Sequence, residues 1–300
     1  MALPKLIVIL GTTACGKSGL GVELAKHLGG EIVSADSRQV YRGLDLGTGK
    51  VTEEEMDGVP HHLLDVVEPN DSYSVVQFQE QAYAAIDDII ARGKIPLLVG
   101  GTGLYVRAVA EGYSFQDAQP DPALRAELEA MSTDDLYALF QKETGRTLTC
   151  GEERNHQRLV RTMEKVRAGD SLDESPRVPR YDVLQLGVTY PRDVLCKRID
   201  DRLWARIDAG MIEEVARLRE EGATDAFLES LGLEYRYILW YLTGKLKTVD
   251  ELADELGRAI KRFAKRQTNW FRRDTDVLWL DTAGDPLAQA IEASEAFLRS

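Results

Sequence analysis

The sequence has little of what marks an exported or membrane-bound protein. Its three cysteines (Cys15, Cys150 and Cys196) have no metal-ligand spacing and cannot all pair with one another, which favours a reducing, cytoplasmic setting. Only four histidines accompany them, so no zinc site is expected. No apolar run approaches the roughly 20 residues that cross a bilayer, and no basic-then-apolar leader opens the chain. We therefore expect a soluble, cytoplasmic protein.

Positive charge is also scarce, but it is unevenly distributed. A net charge of −13 argues against a general nucleic-acid binder, because binding a polyanion requires lysine and arginine near the phosphates. Residues 258–273, however, hold seven basic residues and no acid, and residues 154–167 hold five against the single acid Glu164. Each stretch is either a solvated helix face or a surface for an anionic partner, and composition leaves both interpretations open.

The first third of the chain alternates strand and helix patterns. The apolar runs Leu6–Leu10, Glu31–Ser34 and Ile95–Val99 are typical of buried strands, and the spacing predicts helices over Lys17–Leu28 and Val75–Ala91. Strands that alternate with helices indicate an α/β fold, a parallel sheet flanked by helices.

A change of pattern divides the chain into two domains. Residues 116–181 are predicted to form a helical insertion, with helices at Pro122–Met131, Thr133–Thr144 and Glu152–Ala168. The sheet then resumes, so that residues 1–115 and 182–300 make up one core domain. The elements predicted for its second part are strands at Val183–Val188 and Val277–Leu280, and helices at Arg192–Ala209, Met211–Glu221, Leu233–Leu242, Val249–Phe271 and Pro286–Leu298.

A phosphate-binding loop follows the first predicted strand. The pattern G-x-x-x-x-G-K-[ST] is complete in Gly11, Thr12, Thr13, Ala14, Cys15, Gly16, Lys17 and Ser18. In such a loop the backbone N–H groups and the N-terminus of the next helix hold phosphate oxygens. Lys17 supplies a mobile positive charge, and Ser18 offers a hydroxyl to Mg²⁺. Taken alone, the loop indicates a nucleotide such as ATP.

Two further segments follow strands at the same predicted edge of the sheet. Asp36, after the second strand, is a magnesium ligand, a base that accepts a proton, or the cap of a following helix. Gly100, Gly101 and Gly103 flank the lone hydroxyl of Thr102, which fits either close approach of the backbone to a ligand or a tight turn.

Together these motifs resemble a known family. G-T-T-A-C-G-K-S (11–18), D-S-R-Q-V-Y-R-G-L-D-L-G-T-G-K (36–50), V-G-G-T-G-L-Y (99–105), N-H-Q-R-L-V-R-T-M-E (155–164) and R-Q-T-N-W-F-R-R (266–273) are similar in order and spacing to bacterial tRNA dimethylallyltransferases, also called tRNA isopentenyltransferases. The resemblance spans nearly the whole chain. It implies a P-loop NTPase-like fold and the transfer of a dimethylallyl group from its diphosphate to N6 of adenosine 37 of tRNA, with release of diphosphate. The implied acceptor is an anticodon stem-loop with adenosine at positions 36, 37 and 38.

The resemblance also implies roles for individual residues. Asp36 stands at the position of the carboxylate that accepts a proton from N6, and Thr102 at that of a residue contacting the target nucleotide. Lys17, Ser18 with Mg²⁺, and an arginine would neutralise the departing diphosphate. Three arginines recur at helical spacing in Arg198, Arg202 and Arg206, and Arg206 fits the family pattern best. The alternative for this trio is a surface salt-bridge ladder with Asp193, Asp200 and Glu213.

The resemblance implies that residues in both domains contact tRNA. These residues are Asp36, Ser37, Arg38, Gln39, Thr102, Arg125, Gln157, Arg158, Leu159, Val160 and Arg161. It also implies that the enzyme is a monomer. Two segments depart from the family pattern: Cys15 replaces a serine or glycine, and residues 232–236 (G-L-E-Y-R) replace a shorter Gly-Tyr-[Lys/Arg]-Glu segment.

Three other functions compete with this interpretation. A small-molecule kinase would use the same loop to hold ATP. An isopentenyltransferase acting on free adenine nucleotides would share the loop and Asp36, but it leaves the insertion and the basic stretches without a purpose. A nucleotide-gated tRNA-binding regulator would not need both Asp36 and Thr102.

Overall fold

A single parallel sheet organises the larger part of the chain. The computed structural model describes residues 2–115, 121–148, 152–170, 172 and 177–300. Among them, six strands run in the order β3-β2-β4-β1-β5-β6, and every pairing is parallel. The strands are β1 (Lys5–Gly11), β2 (Glu31–Ser34), β3 (His61–His62), β4 (Pro96–Gly100), β5 (Asp182–Val188) and β6 (Val277–Trp279). The predicted α/β class with a flanked parallel sheet is confirmed.

Helices cover both faces of this sheet because the side chains of its strands alternate. Leu6, Val8 and Leu10 of β1 pack in one core, whereas Ile7 and Ile9 pack in another. The first core is covered by α3 (Val75–Ala91) and α4 (Gly103–Ala110), and the second by α1 (Lys17–Leu28) and α13 (Pro286–Arg299). Burial on both faces explains why β1 is an unbroken apolar run rather than an alternating one.

A third core is formed by helices that lie beyond β5 in the chain. They are α8 (Arg192–Asp208), α9 (Met211–Glu220), α10 (Asp225–Leu231), α11 (Leu233–Leu242) and α12 (Val249–Phe271). Val40 and Leu44 pack against them, which fixes the segment that follows β2 onto this core. None of the helices in the described ranges is long and apolar enough to cross a membrane.

Most helix ends are marked by residues that the sequence shows. Ser74 and Gln77 form a capping box at the start of α3, and Asp285 caps α13 ahead of Pro286. Four short elements are absent from the sequence-based prediction: α2 (Glu53–Met56), β3, α4 and α10. In α4 the helix begins at Gly103, inside the glycine cluster that also suggests a tight turn.

The helical insertion forms a separate compact unit. The chain divides into Met1–Gly112 with Pro179–Ser300, here called the P-loop unit, and Tyr113–Val178, the helical unit. The helical unit contains α5 (Pro122–Glu129), α6 (Thr133–Thr144) and α7 (His156–Ala168). Its core is built from its own side chains, Leu128, Leu136, Phe140, Leu159, Val160 and Met163.

The boundaries differ from the predicted 116 and 181 by three residues at each end. A bridge pairs Tyr113 with Arg177 inside the helical unit, whereas Arg180 and Tyr181 donate to Asp87 of α3, each at 2.8 Å, and so belong to the P-loop unit. The first five residues of the predicted insertion, 116–120, lie outside the described residues. The predicted helix from Glu152 is in fact a 3₁₀ turn, Glu152–Arg154, followed by α7, because Asn155 caps α7 by accepting the N–H of Arg158.

Candidate active site

The phosphate loop joins the end of β1 to the start of α1. Ala14 and Gly16 have φ angles of 60° and 83°, which turn the backbone sharply before Lys17 opens the helix. Thr12 and Cys15 are each 1% exposed and do not line the cavity described next. Thr13, Lys17 and Ser18 instead line a cavity of about 570 Å³. The loop therefore presents its lysine and its hydroxyls to this cavity.

Asp36 borders the same cavity from the end of β2. Its Oδ1 accepts the N–H of Arg38 at 2.9 Å, which fixes the carboxylate over a local turn rather than at the start of a helix. Ser37, Arg38 and Gln39 follow it along the cavity wall. Asp36 therefore does not cap a helix: its carboxylate orders its own loop and also faces the cavity.

Thr102 is brought to Asp36 by the close approach of β4 to β2. A Cβ on Gly100 would overlap the carbonyl of Ala35, so only glycine allows this contact. Thr102 Oγ1 accepts the N–H of Ser37 at 3.1 Å. The glycine cluster therefore serves close backbone approach and also opens α4.

Two of the three predicted arginines of α8 reach the cavity. Arg202 and Arg206 line it, and both guanidinium groups pack on Gly49 so closely that a Cβ there would overlap them. Arg198 instead donates its Nε to the carbonyl of Ala14, at 2.8 Å, and stacks on Tyr190. The alternative prediction, a salt-bridge ladder between these arginines and nearby acids, is wrong for Asp200. This carboxylate pairs instead with Lys261 of α12 at 2.7 Å.

The wall that carries Gly49 is held by a buried carboxylate that sequence reasoning missed. Glu214 of α9 accepts the N–H groups of Asp45, Leu46 and Gly47 at 2.7 to 3.1 Å, together with the hydroxyl of Tyr235 at 3.0 Å. Lys50 closes the other end of this loop by donating to the Tyr41 carbonyl, Asp45 and Asp65. The D-L-G-T-G-K segment (45–50) is therefore a structural part of the cavity lining. Its glycines leave room for the side chains of Tyr235, Arg202 and Arg206.

Glu234 is a second carboxyl group in the cavity that the sequence did not single out. It lies in the first turn of α11, with Oε1 3.7 Å from Nη1 of Arg206. Burial raises its pKa to about 7, and the carboxylate of Asp36 adds to the shift while Arg202 opposes it. The residues of the departing segment 232–236 all line the cavity. The difference from the family pattern at 232–236 was therefore the feature of the sequence that could have drawn attention to Glu234.

In the helical unit the predicted tRNA contacts fall into three groups. Gln157 and Arg158 are exposed on the first turn of α7, and Arg125 and Arg161 both bind the buried carboxylate of Glu164 at 2.7 to 3.0 Å. The side chains of Leu159 and Val160 are 0% and 3% exposed in the core of this unit. The structure corrects the prediction for these two side chains, because they pack against protein and are not available to RNA.

The sheet order, the loop at Gly11–Ser18 and the cavity at the carboxyl ends of the strands define the P-loop class of α/β proteins. Within that class the chain belongs to the IPP transferase family, whose family model matches residues 39–274.

Relatives of known name match almost the whole chain. It is 44% identical over 292 residues to tRNA dimethylallyltransferase 1 of Geotalea uraniireducens (96% of each chain). It is 40% identical over 289 residues to the tRNA dimethylallyltransferase of Anoxybacillus flavithermus (94% of this chain, 92% of the relative).

Solved structures give the same result. The tRNA isopentenylpyrophosphate transferase of Bacillus halodurans superposes with a TM-score of 0.73 at 39% identity, covering 98% of this chain and 95% of the other. A eukaryotic dimethylallyltransferase acting on tRNA superposes with a TM-score of 0.83 at 26% identity, covering 99% of this chain and 80% of the other.

Proposed function

We propose that this protein transfers a dimethylallyl group from dimethylallyl diphosphate to N6 of adenosine 37 in tRNA and releases diphosphate. The observation that carries the proposal is that phosphate-binding groups and a carboxylate line one cavity: Lys17, Ser18, Asp36, Thr102, Arg202 and Arg206. Cationic groups suit the diphosphate end of the donor, and the carboxylate suits the amine of the acceptor. Relatives with the corresponding name and activity support the assignment.

In the proposed reaction, the N6 lone pair attacks the first carbon of the dimethylallyl group as the bond from that carbon to the diphosphate oxygen breaks. The electrons of the broken bond leave with diphosphate. Asp36 accepts the proton that N6 loses, since the adenine amine is a poor nucleophile while its lone pair is delocalised into the ring. The hydrogen bond from Arg38 N–H holds the orientation of this carboxylate.

Lys17 and Arg206 neutralise the negative charge that grows on the leaving group, and Arg202 lies beside them. Lys17 Nζ contacts the Thr12 carbonyl at 3.4 Å, a weak interaction that it can exchange for a phosphate oxygen. Thr102, whose hydroxyl accepts the N–H of Ser37 next to Asp36, is proposed to contact the target nucleotide.

Magnesium fits this donor set as an ion held jointly by protein and substrate. Within the described ranges, no group of three His, Cys, Asp or Glu side chains is placed to hold a metal ion by itself. Ser18 offers a hydroxyl in the cavity, and Mg²⁺ is commonly held by few protein ligands together with substrate phosphates. Bound there, the ion would stabilise negative charge on diphosphate.

The acceptor is proposed to bind through local basic surfaces despite the net charge of −13. In the P-loop unit, α12 exposes Arg258, Arg262, Lys265 and Arg266, and Arg266 also lines the cavity. In the helical unit, Gln157 and Arg158 are exposed on α7. An adenine turned out of the anticodon loop would reach the cavity as a single base.

The test is transfer of label from dimethylallyl diphosphate, with Mg²⁺, to an anticodon stem-loop carrying adenosine at positions 36 to 38. A matched stem-loop with an unsubstituted purine at position 37 lacks only the amine and should accept no label. Transfer to the matched control, or phosphorylation of a metabolite from ATP in place of transfer, would contradict the proposal.

A further inference from the structure

Gln267 of α12 connects two loops that come from neighbouring strands. Its Oε1 accepts the N–H of Thr13 at 2.9 Å, and its Nε2 donates to the carbonyl of Gly101 at 2.8 Å. Thr13 belongs to the phosphate loop and Gly101 directly precedes Thr102. One amide group thus spans the proposed leaving-group and acceptor sides of the cavity.

The amide of Gln267 is buried and lies in crowded surroundings. Gln267 is 8% exposed, and a Cβ on Gly101 would lie 2.9 Å from its Nε2, 3.2 Å from the Gly11 carbonyl and 3.4 Å from Cε of Lys17. These groups crowd the same side of Gly101, so a side chain at that position would force at least one of them to move.

The helix that carries Gln267 is anchored on both sides of it. Ala264 and Phe271, at helical spacing from Gln267, are 2% and 3% exposed, in two different cores. Trp270 packs against Gly103, at the first residue of α4. Position 267 is therefore fixed relative to the sheet, and its side chain transmits that fixed position to both loops.

The two hydrogen bonds require a side chain with one acceptor and one donor on the same planar group, which glutamine provides. An ionised glutamate would keep the bond from Thr13 N–H but would direct its second oxygen at the Gly101 carbonyl. A protonated glutamate restores both bonds, and methionine of similar length makes neither.

We propose that Gln267 is a positioning residue that sets the separation between the phosphate loop and Thr102, and hence the alignment of donor and acceptor. The inference rests on the proposed dimethylallyl transfer. It follows from geometry, because a displacement of about 1 Å between reacting groups can cost roughly 10²-fold in rate. Gln267 is not proposed to contact either reacting atom.

The experiment compares Gln267→Glu and Gln267→Met with wild-type protein in single-turnover transfer at saturating donor and stem-loop. The matched control is Gln185→Met, another buried glutamine, which donates to Asp274 at 3.2 Å and does not line the main cavity. We expect Gln267→Met to lower the single-turnover rate about 10- to 100-fold with KM for dimethylallyl diphosphate within about threefold of wild type. Gln185→Met should retain the wild-type rate.

The pH profile of Gln267→Glu separates positioning from general loss of folding. Relative to wild type at each pH between about 6 and 9, its rate should fall as pH rises, because the buried carboxyl ionises and loses its donor. Gln267→Met should show a constant ratio to wild type. A wild-type single-turnover rate in Gln267→Met, or equal pH profiles for the two variants, would overturn the inference. An inactive wild-type protein would instead contradict the proposed function itself.

Discussion

Two glutamates of this chain are equally buried, with side chains about 4% exposed, yet they are satisfied in opposite ways. In the P-loop unit, Glu214 binds only neutral donors, three backbone N–H groups and the hydroxyl of Tyr235. In the helical unit, Glu164 binds two guanidinium groups, those of Arg125 and Arg161. The first arrangement orders a loop, and the second joins side chains of α5 and α7.

The difference shows why a basic residue in a motif need not be a nucleic-acid contact. Arg125 and Arg161 stand at predicted tRNA positions, but their guanidiniums also neutralise a carboxylate inside the protein. Glu214, by contrast, accepts from neutral donors among the described residues, and Arg202 and Arg206 line the cavity. Carboxylate variants in the two units therefore test which charges serve folding and which serve the reaction.

The largest effect is expected for a third carboxylate, Asp36, which faces the cavity. Asp36→Ala should lower the single-turnover transfer rate by about 10²–10⁴-fold, the usual range for loss of a general base. Asp36→Asn keeps an oxygen that can accept the Arg38 N–H but cannot take a proton, and it should lose as much. A near-normal rate for the asparagine variant would assign Asp36 to the turn alone.

Glu214→Gln should cause the largest loss of stability in this comparison. Glutamine has one acceptor oxygen, so its NH₂ group would face donors that it cannot satisfy, at a cost of about 3 kcal/mol in the free energy of unfolding. Urea denaturation measures the difference. Glu213→Gln, one residue away on the exposed side of α9, should leave the midpoint unchanged. Equal midpoints for the two variants would show that the buried hydrogen bonds do not stabilise the wall.

Glu164→Gln should destabilise the helical unit by less, about 1 kcal/mol, because the Arg125 and Arg161 side chains are 41% and 39% exposed and can be solvated. Hydrogen exchange of α7 amides reports this unit separately from the sheet. The exposed Glu127→Gln on α5 is the control. A loss larger than that of Glu214→Gln would reverse the comparison.

The most pH-dependent effect is expected at Glu234, whose pKa burial raises from its ordinary value of 4.5 to about 7. The folded protein therefore holds a proton that the unfolded chain has released between these two values. Stability that is present below about pH 4.5 is lost as pH rises toward about 7. Glu234→Gln lacks this carboxyl group, so the stability of the variant relative to wild type should increase as pH rises from about 4.5 to about 7. A constant difference would contradict the pKa shift.

The order of the large elements could be predicted because their signals are local. The phosphate loop, the caps of α3 and α13 and the apolar run of β1 depend on residues close together in sequence. The burial of Leu159 and Val160 was also predictable, since with Met163 they form an apolar stripe at helical spacing in α7.

The rest depends on contacts between residues far apart in the chain. Glu214 binds N–H groups more than 160 residues away, and Gln267 binds Thr13 across 254. A lone buried glutamate or glutamine has no pattern of its own in a sequence. Its partners are backbone groups, which every residue carries, so neither contact could be predicted without the fold.

The pairing of β1 has a consequence for the order of events during synthesis. One side of β1 pairs with β4, but its other side pairs with β5, so that Lys5 lies opposite Asp182. At about 5–20 residues per second, the ribosome makes β5 roughly ten to thirty seconds after β1. Through that interval β1 has an unpaired edge, and the helical unit, whose core is formed by its own residues, is made only in the last part of it. The nascent chain is thus most exposed to aggregation just before the sheet can close.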